Sequence, residues 1–140
     1  MPRPTTPSSV IAAAAAAAFL LLVPSAAAAP QTQLSIAVYP QGRNSTAVHH
    51  YELRCDPTGG TAPKPARACR VLASLVRPFA PVPAGEVCAQ IALGPQEAVV
   101  TGRVRGRRVW ARLSVRDSCQ IERWRRLADV IPGFGRTLAP

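Results

Sequence analysis

The residues whose chemistry is easiest to interpret form a short segment that begins at one of four cysteines. Cys88 is followed by Ala89 and Gln90, and a Gly94-Pro95 pair ends the segment. Cys119 lies far enough along the chain to tie this segment back to the body of a folded domain. A short extended loop held at one end by a disulfide can bind a serine protease as a substrate does, because little conformational entropy is lost on binding. Such a loop works in a small, exported, disulfide-bonded protein that has no catalytic residues of its own.

The cysteines are better suited to disulfides than to a metal site. They are Cys55, Cys69, Cys88 and Cys119. No two of them have the roughly two-to-four-residue spacing of structural zinc ligands, so we expect no metal and no cofactor. Four cysteines in a small exported chain predict two disulfides, for which three pairings are possible.

The groupings that catalysis requires are missing from the sequence. Its two histidines, His49 and His50, are adjacent on a predicted strand and would point to opposite faces. There is no Gly-x-Ser-x-Gly segment and no paired-carboxylate motif to supply a nucleophile beside a base. We therefore expect no enzymatic activity, and we expect the histidines to pack within the strand rather than bind a metal.

The amino terminus has the three parts of a secretory signal peptide. One basic residue, Arg3, precedes an unbroken apolar run from Val10 to Val23, and four alanines follow at 26–29. The run is shorter than the roughly 20 residues of a membrane-spanning helix, which favours cleavage over a membrane anchor. We predict a signal peptide over 1–29, a secreted extracellular protein without membrane contact after cleavage, and one domain over 30–140 with its core at about 34–134.

The charge balance of the chain is strongly basic, with 17 Lys and Arg residues against 7 Asp and Glu and a net charge of +10. Nine arginines are concentrated in one window, namely Arg103, Arg105, Arg107, Arg108, Arg112, Arg116, Arg123, Arg125 and Arg126. Such a field attracts polyanions in general. No set of aromatic side chains is interleaved with it, so no specific nucleic-acid site is predicted. The pattern favours a solvated basic face that keeps the protein soluble.

Hydrophobic periodicity predicts two strands and a helix in the first half of the domain. Apolar residues alternate over Gln33–Tyr39 and over Ala47–Cys55, as they do in strands. The Pro- and Gly-rich stretch Asp56–Pro65 is predicted to be a loop. Helical spacing follows over Ala66–Val76, with Val76 as the last inward-facing residue. Prolines then enforce an irregular run up to the candidate loop.

Beyond the candidate loop the pattern predicts a hairpin and a second helix. Glu97–Val104 and Arg107–Val115 are separated by a two-residue turn and are expected to pair. Cys119–Ala128 is predicted to be a helix with Arg123 among its solvent-facing residues, and Val130–Phe134 a last edge strand. The predicted architecture is α+β, an antiparallel sheet with two helices on one face.

The order of these elements and several short motifs resemble the subtilisin inhibitor family of secreted actinobacterial proteins. The motifs are Cys88-Ala89-Gln90-Ile91, Gly94-Pro95-Gln96, Val100-Thr101-Gly102, Arg105-Gly106-Arg107-Arg108-Val109 and Cys119-Gln120-Ile121-Glu122-Arg123-Trp124. The resemblance extends from about Leu34 to Phe134. It implies disulfides Cys55–Cys69 and Cys88–Cys119, a five-stranded antiparallel sheet with two helices, and a homodimer. Trp110, expected to face outward among arginines, is a candidate for the dimer interface.

Carried over to this sequence, the family's reactive bond is the peptide bond between Gln90 and Ile91. Gln90 would enter the main specificity pocket of an extracellular serine protease. The other loop residues expected to contact the protease are Val87, Ala89, Ala92 and Leu93. Family members often have Met, Lys or Arg at the position of Gln90 and usually a bulky residue at that of Ala92. Because glutamine forgoes the ion pair of a trypsin-like pocket, the resemblance implies a subtilisin-like rather than a trypsin-like target.

A second function remains open from the sequence. The chain could be a non-inhibitory basic secreted protein on the same scaffold that binds anionic polymers or cell-envelope material. Binding through arginines weakens steeply with ionic strength, whereas a contact between the loop and a protease largely survives moderate salt. The two functions therefore differ in their salt dependence and in the residues that carry them.

Overall fold

In the part of the chain that the structure describes, two long strands and a helix precede the candidate loop, and a hairpin and a second helix follow it, as the sequence predicts. The structure is a computed structural model that describes residues 1–3 and 31–134. The predicted signal peptide lies outside the described residues, apart from residues 1–3. The elements are β1 (Thr32–Tyr39), β2 (His49–Cys55), β3 (Gly59–Gly60), α1 (Pro65–Ser74), β4 (Glu97–Val104), β5 (Arg107–Ser114) and α2 (Ser118–Arg126). Within the described ranges, no helix has the length and apolar character needed to cross a membrane.

The strands form one antiparallel sheet in the order β3-β2-β1-β4-β5. Leu34 of β1 lies opposite Leu53 of β2 on one side and opposite Gly102 of β4 on the other. Leu34, Ile36 and Leu53 are fully buried, while the residues that alternate with them along β1 and β2 face the other side of the sheet. The period-two pattern thus gives the sheet one apolar face, and the predicted fold class is confirmed.

Both helices cover this apolar face. Ala68 and Leu72 of α1 and Ile121 and Trp124 of α2 belong to the same buried cluster as the inward side chains of the strands. α2 packs against β5, an edge strand of the sheet, and its Arg123 contacts Phe79 and Ala80 of the irregular segment 75–96. This arrangement places the end of β5, the start of α2 and the candidate loop next to one another.

The predicted last edge strand is wrong. Val130 and Ile131 are fully buried, and both of their amide N–H groups donate to the carbonyl of Leu127 in a turn that follows α2. A short apolar run has the same composition whether it forms a strand or fills a core from a turn, so periodicity alone could not distinguish them. The fifth strand is instead β3, two glycines inside the stretch predicted to be a loop.

Two smaller expectations about burial are also wrong. His49 and His50 are both exposed, because they lie at the start of β2 beyond the area that the helices cover. Val76 is 90% exposed, because α1 ends at Ser74 and the chain is extended from Leu75 onward. None of these three residues contributes to the core.

The prediction that Arg123 faces solvent is wrong as well, since this residue is 7% exposed. Its guanidinium donates to the carbonyl oxygens of Ala80 (2.8 Å), Phe79 (3.1 Å) and Arg112 (2.7 Å). Burial and, secondarily, the charge of Arg126 lower the pKa of Arg123. A helical wheel assigns an arginine to solvent by its type, whereas here its several donors satisfy carbonyls that no secondary structure pairs. Arg123 therefore joins α2 to β5 and to the irregular segment.

We expect Arg123→Met to lower the free energy of unfolding by about 3 kcal/mol, because three carbonyls, one of them in a buried contact, lose charged donors. The matched control is Arg125→Met on the same helix, which removes an exposed ion pair with Glu122 and should cost less than about 1 kcal/mol. Urea unfolding of both variants measures the difference. Equal losses would mean that the Arg123 guanidinium does not hold the irregular segment in place.

Candidate functional site

The candidate loop, residues 87–96, is joined to the body of the domain by a disulfide at its amino side. Cys88 is bonded to Cys119 in the first turn of α2, with Cα atoms 5.5 Å apart. Cys55 is bonded to Cys69, with Cα atoms 5.8 Å apart, and joins β2 to α1 away from the loop. Both pairings implied by the resemblance are confirmed. Only the Cys88–Cys119 bond contributes directly to the position of the loop.

The backbone of Ala89 is held by two hydrogen bonds to Ser118. The Ala89 N–H donates to Ser118 Oγ (2.9 Å), and the Ser118 N–H donates to the Ala89 carbonyl (3.0 Å). Ser118 is the first residue of α2, and Asp117 caps this helix by accepting the N–H of Gln120 (2.9 Å). An aspartate N-cap stabilises the first turn of a helix. The two contacts to Ala89 therefore rest on a fixed helix terminus.

The carboxyl side of the loop is attached through Leu93. Its N–H donates to the carbonyl of Val115 (2.9 Å), and its side chain packs against the core. Gly94 follows with φ +149°, a backbone conformation that residues with a side chain rarely adopt. Glycine is favoured here because it lets the chain turn into β4 without strain.

Gln90, Ile91 and Ala92 stand between these two attachments, and all three are exposed, with Ile91 at 57%. Val87, before the disulfide, is 94% exposed. Of the sequence-predicted contact residues, Val87, Ala89, Gln90, Ile91 and Ala92 thus lie on the surface, while Leu93 also serves as an anchor. The Gln90–Ile91 peptide bond lies at the part of the loop that a partner can reach.

The loop is not extended throughout. The Ile91 N–H donates to the carbonyl of Ala89 (2.9 Å), which closes a three-residue turn around Gln90. The Gln90 side-chain amide donates to the carbonyl of Cys88 (3.2 Å), so the side chain folds back along the loop. Gln90 has to release this second contact before it can enter a pocket of a partner.

A buried ion-pair network, which the sequence patterns do not reveal, lies where the chain leaves the loop. Glu97, the first residue of β4, is 2% exposed. Its carboxylate accepts from Arg112 (2.9 and 3.2 Å) and from Arg116 (2.6 Å). A buried carboxylate is tolerated when charged donors satisfy it. Two of the arginines that the sequence assigns to a solvated basic face therefore neutralise a buried acid beside the loop.

The residues around the loop do not form a metal site. Cys88, Asp117 and Cys119 present ligand-type atoms within 4.8 Å of one another, the one such group of three in the described ranges. The two sulfurs are bonded to each other, and the Asp117 carboxylate accepts the helix N–H of Gln120. Because metal binding to cysteine requires a thiolate, an intact disulfide leaves no sulfur ligand here. The arrangement can present a peptide bond in a fixed position and supplies no group to react with it.

We expect Ser118→Ala to speed hydrogen exchange at the Ala89 amide, which loses its acceptor, while the Leu93 amide stays as protected as in the parent. Ser74→Ala is the matched control, because Ser74 Oγ donates to the Val71 carbonyl at the end of α1, away from the loop. Residue-resolved exchange measured by NMR reads both amides directly. Unchanged protection at Ala89 would show that the hydroxyl does not hold the loop.

The geometry and the motifs agree with a comparison to known proteins. The model of the subtilisin inhibitor-like family matches residues 29–115, which is more than half of the chain and includes the whole candidate loop. Cys119 and α2 lie beyond the matched range. No curated protein is significantly similar to the chain. On the strength of the family match, the chain belongs to the subtilisin inhibitor-like family.

Proposed function

We propose that the protein is a secreted inhibitor of subtilisin-like serine proteases and that it binds them as a substrate does, across the Gln90–Ile91 bond. The observation that carries this proposal is the attachment of both sides of that bond to one short stretch of chain. Ala89 is hydrogen-bonded to Ser118, and Leu93 is hydrogen-bonded to Val115. Membership of an inhibitor-like family, together with a loop that lacks reactive groups, fits a role other than catalysis.

The two attachments explain how such a loop could resist hydrolysis. Attack by the protease serine on the Gln90 carbonyl would form an acyl-enzyme and a new amine at Ile91. The acyl side stays bound through Ala89 and the disulfide, and the amine side stays bound through Leu93. The amine therefore remains at a high effective concentration beside the acyl group, and religation competes with attack by water.

The side chains of the loop favour an apolar specificity pocket. Gln90 has no charge to pair with the carboxylate at the base of a trypsin-like pocket. Entry of Gln90 also requires loss of its hydrogen bond to the Cys88 carbonyl, which costs about 1 kcal/mol. Ala92 is exposed but offers little contact area near the centre of an interface, where a few large side chains usually carry most of the affinity.

Gln90→Lys should create or strengthen inhibition of trypsin, because the new cation would gain a buried carboxylate partner. Gln90→Met should instead tighten subtilisin binding, since it removes an amide that must be desolvated. Gln31→Lys, exposed beside the turn between β4 and β5 at the other end of the sheet, adds the same charge and should change neither enzyme's inhibition. Inhibition constants against both proteases measure these effects. If Gln90→Lys and Gln31→Lys behave alike, Gln90 is not the primary specificity residue.

Removing the Cys88–Cys119 bond by the double change to serine should turn the inhibitor into a substrate, because the acyl side of the cleaved loop would separate more readily. The matched control is the double change of Cys55 and Cys69 to serine, which should lower stability yet leave the loop resistant below the melting temperature. Mass spectrometry of protein incubated with subtilisin follows cleavage at the Gln90–Ile91 bond. If the two variants both fold and are cleaved at equal rates, the Cys88–Cys119 bond does not anchor the loop.

We also propose a homodimer formed through the side of the sheet opposite α1 and α2. Trp110 is 69% exposed on this side of the sheet. Ala37 and Val99, which lie opposite each other on β1 and β4, belong to the adjacent row of side chains on the same side. Trp110→Glu should dissociate the dimer, because it would place a charge in an apolar contact. Val76→Glu changes a comparably exposed apolar residue at another site and should leave the dimer intact. Sedimentation equilibrium of both variants tests the proposal, and a monomeric parent protein would refute it.

A further inference from the structure

A groove runs along the free edge of β5, at the end of the strand farthest from the candidate loop. It is formed by residues 76–81 on one side and residues 104–110 on the other, and has a volume of about 270 Å³. Four of the residues that line it are arginines, and none is an acid. These arginines are Arg77, Arg105, Arg107 and Arg108. The groove thus collects positive charge without a neutralising partner in its walls.

A second depression extends this groove across the end of the sheet. It has a volume of about 590 Å³, shares Val104 and Arg105 with the first, and reaches Arg70 on α1. Asp56 is its one acidic lining residue. The two depressions together form a track, which we call the arginine channel. An elongated track with cations along its length suits a linear polymer better than a single small anion.

Most of the arginines of the channel have no partner within the described residues. Arg70, Arg77, Arg107 and Arg108 have neither an ion pair nor a hydrogen bond from their side chains there. Arg105 differs, because its guanidinium donates to the carbonyls of Leu75 (2.6 Å) and Val76 (3.1 Å). Arg105 therefore shapes the channel wall, while the other four arginines keep their donors available.

Four of the seven acidic residues are occupied outside the channel, and Asp56 is the one acid that lines it. Glu97, Glu122 and Asp129 form ion pairs with arginines outside the channel. Asp117 caps α2. With seven acids against 17 basic residues, the chain has few carboxylates left to neutralise this surface.

The channel and the candidate loop are far enough apart to be occupied together. Arg107 begins β5, and Val115, which accepts the loop amide of Leu93, directly follows its end. Eight strand residues span roughly 25 Å at the usual rise per residue. A partner in the channel would therefore leave the Gln90–Ile91 bond open to a protease.

We propose that the arginine channel binds a linear polymer with repeated phosphate or sulfate groups. Guanidinium groups bind such oxyanions with two parallel hydrogen bonds, which gives them an advantage over ammonium groups. Nucleic acid fits less well, because Trp110 is the one exposed ring that lines the channel and single strands are held by successive stacked bases. Binding would hold the protein on the polymer while the loop stays accessible, so anionic-polymer binding and inhibition belong to different surfaces of one molecule.

The test compares two triple variants that lose the same charge. Arg70→Gln, Arg77→Gln and Arg107→Gln together remove three of the four unpaired cations of the channel. Arg43→Gln, Arg54→Gln and Arg126→Gln are the control, since these exposed arginines lie outside both depressions. Fluorescently labelled inorganic polyphosphate and dextran sulfate serve as probes, and a DNA duplex of similar charge serves as the competing class.

The channel triple should bind the polymer roughly 100-fold more weakly than the parent at low salt. Its plot of log affinity against log salt should be less steep by about two to three units, since each phosphate contact contributes about one. The control triple should lose less than about threefold. Binding of polyphosphate alone or of dextran sulfate alone would identify phosphate or sulfate as the group recognised, and either result supports the proposal.

Three results would overturn the proposal of polymer binding in the arginine channel. Equal losses of affinity in the two triple variants would show that binding follows net charge. If neither polymer binds at 0.1 M salt, the channel is not a binding site, and if the DNA duplex binds more tightly through the channel, the channel is a nucleic-acid surface. If the channel triple does not fold, the single variant Arg77→Glu replaces it, because this residue is exposed in the irregular segment. The readout is direct binding, so failure of protease inhibition would not affect it.

Discussion

Both sides of the exposed Gln90–Ile91 bond are fastened to one five-residue stretch, Val115–Cys119, which joins β5 to α2. A disulfide, two hydrogen bonds to Ser118 and one to Val115 all converge there. Because the attachments share one rigid support, thermal motion of the domain moves the two sides of the loop together. The distance between them is therefore set by the strand–helix junction and not by the loop itself.

The junction depends in turn on arginines that sequence patterns assign to solvent. Arg123 holds the irregular segment against α2 and β5, and Arg112 and Arg116 neutralise Glu97 where the chain re-enters the sheet. Arginine suits these roles because its planar group can satisfy several carbonyl or carboxylate oxygens at once. The same residue type then has two uses in this molecule. Some arginines bind carbonyl and carboxylate groups of the protein around the loop. Others, in the arginine channel, remain available to bind a partner.

Local pattern was sufficient to predict most of the fold. Alternation of apolar residues gave β1 nearly to the residue, and the two strands flanking a short turn gave β4 and β5, because those segments have one buried and one solvent-facing side. β3 was missed since its two glycines carry no hydrophobic signal. Val130 and Ile131 were assigned to a strand because burial in a turn and burial in a sheet select the same side chains.

The candidate site was predictable only in part. Resemblance to a family supplied the Cys88–Cys119 pairing and the position of the Gln90–Ile91 bond, whereas spacing alone left three pairings open. The roles of Ser118 and Glu97 could not be foreseen, because each depends on contacts between residues that are distant in sequence. No short-range pattern encodes such a contact, since a serine that hydrogen-bonds to a distant loop and a serine that faces solvent look alike in a sequence.

If the junction keeps the two ends of the cleaved loop together, cleaved protein should be able to regain its peptide bond. Protein cut at Gln90–Ile91 would be purified, incubated with a catalytic amount of subtilisin, and followed by mass spectrometry under nonreducing conditions. We expect the peptide bond to be resynthesised, so that intact and cleaved protein reach the same ratio from either starting point. Cleaved protein that stays cleaved, while intact protein is converted completely, would contradict this expectation.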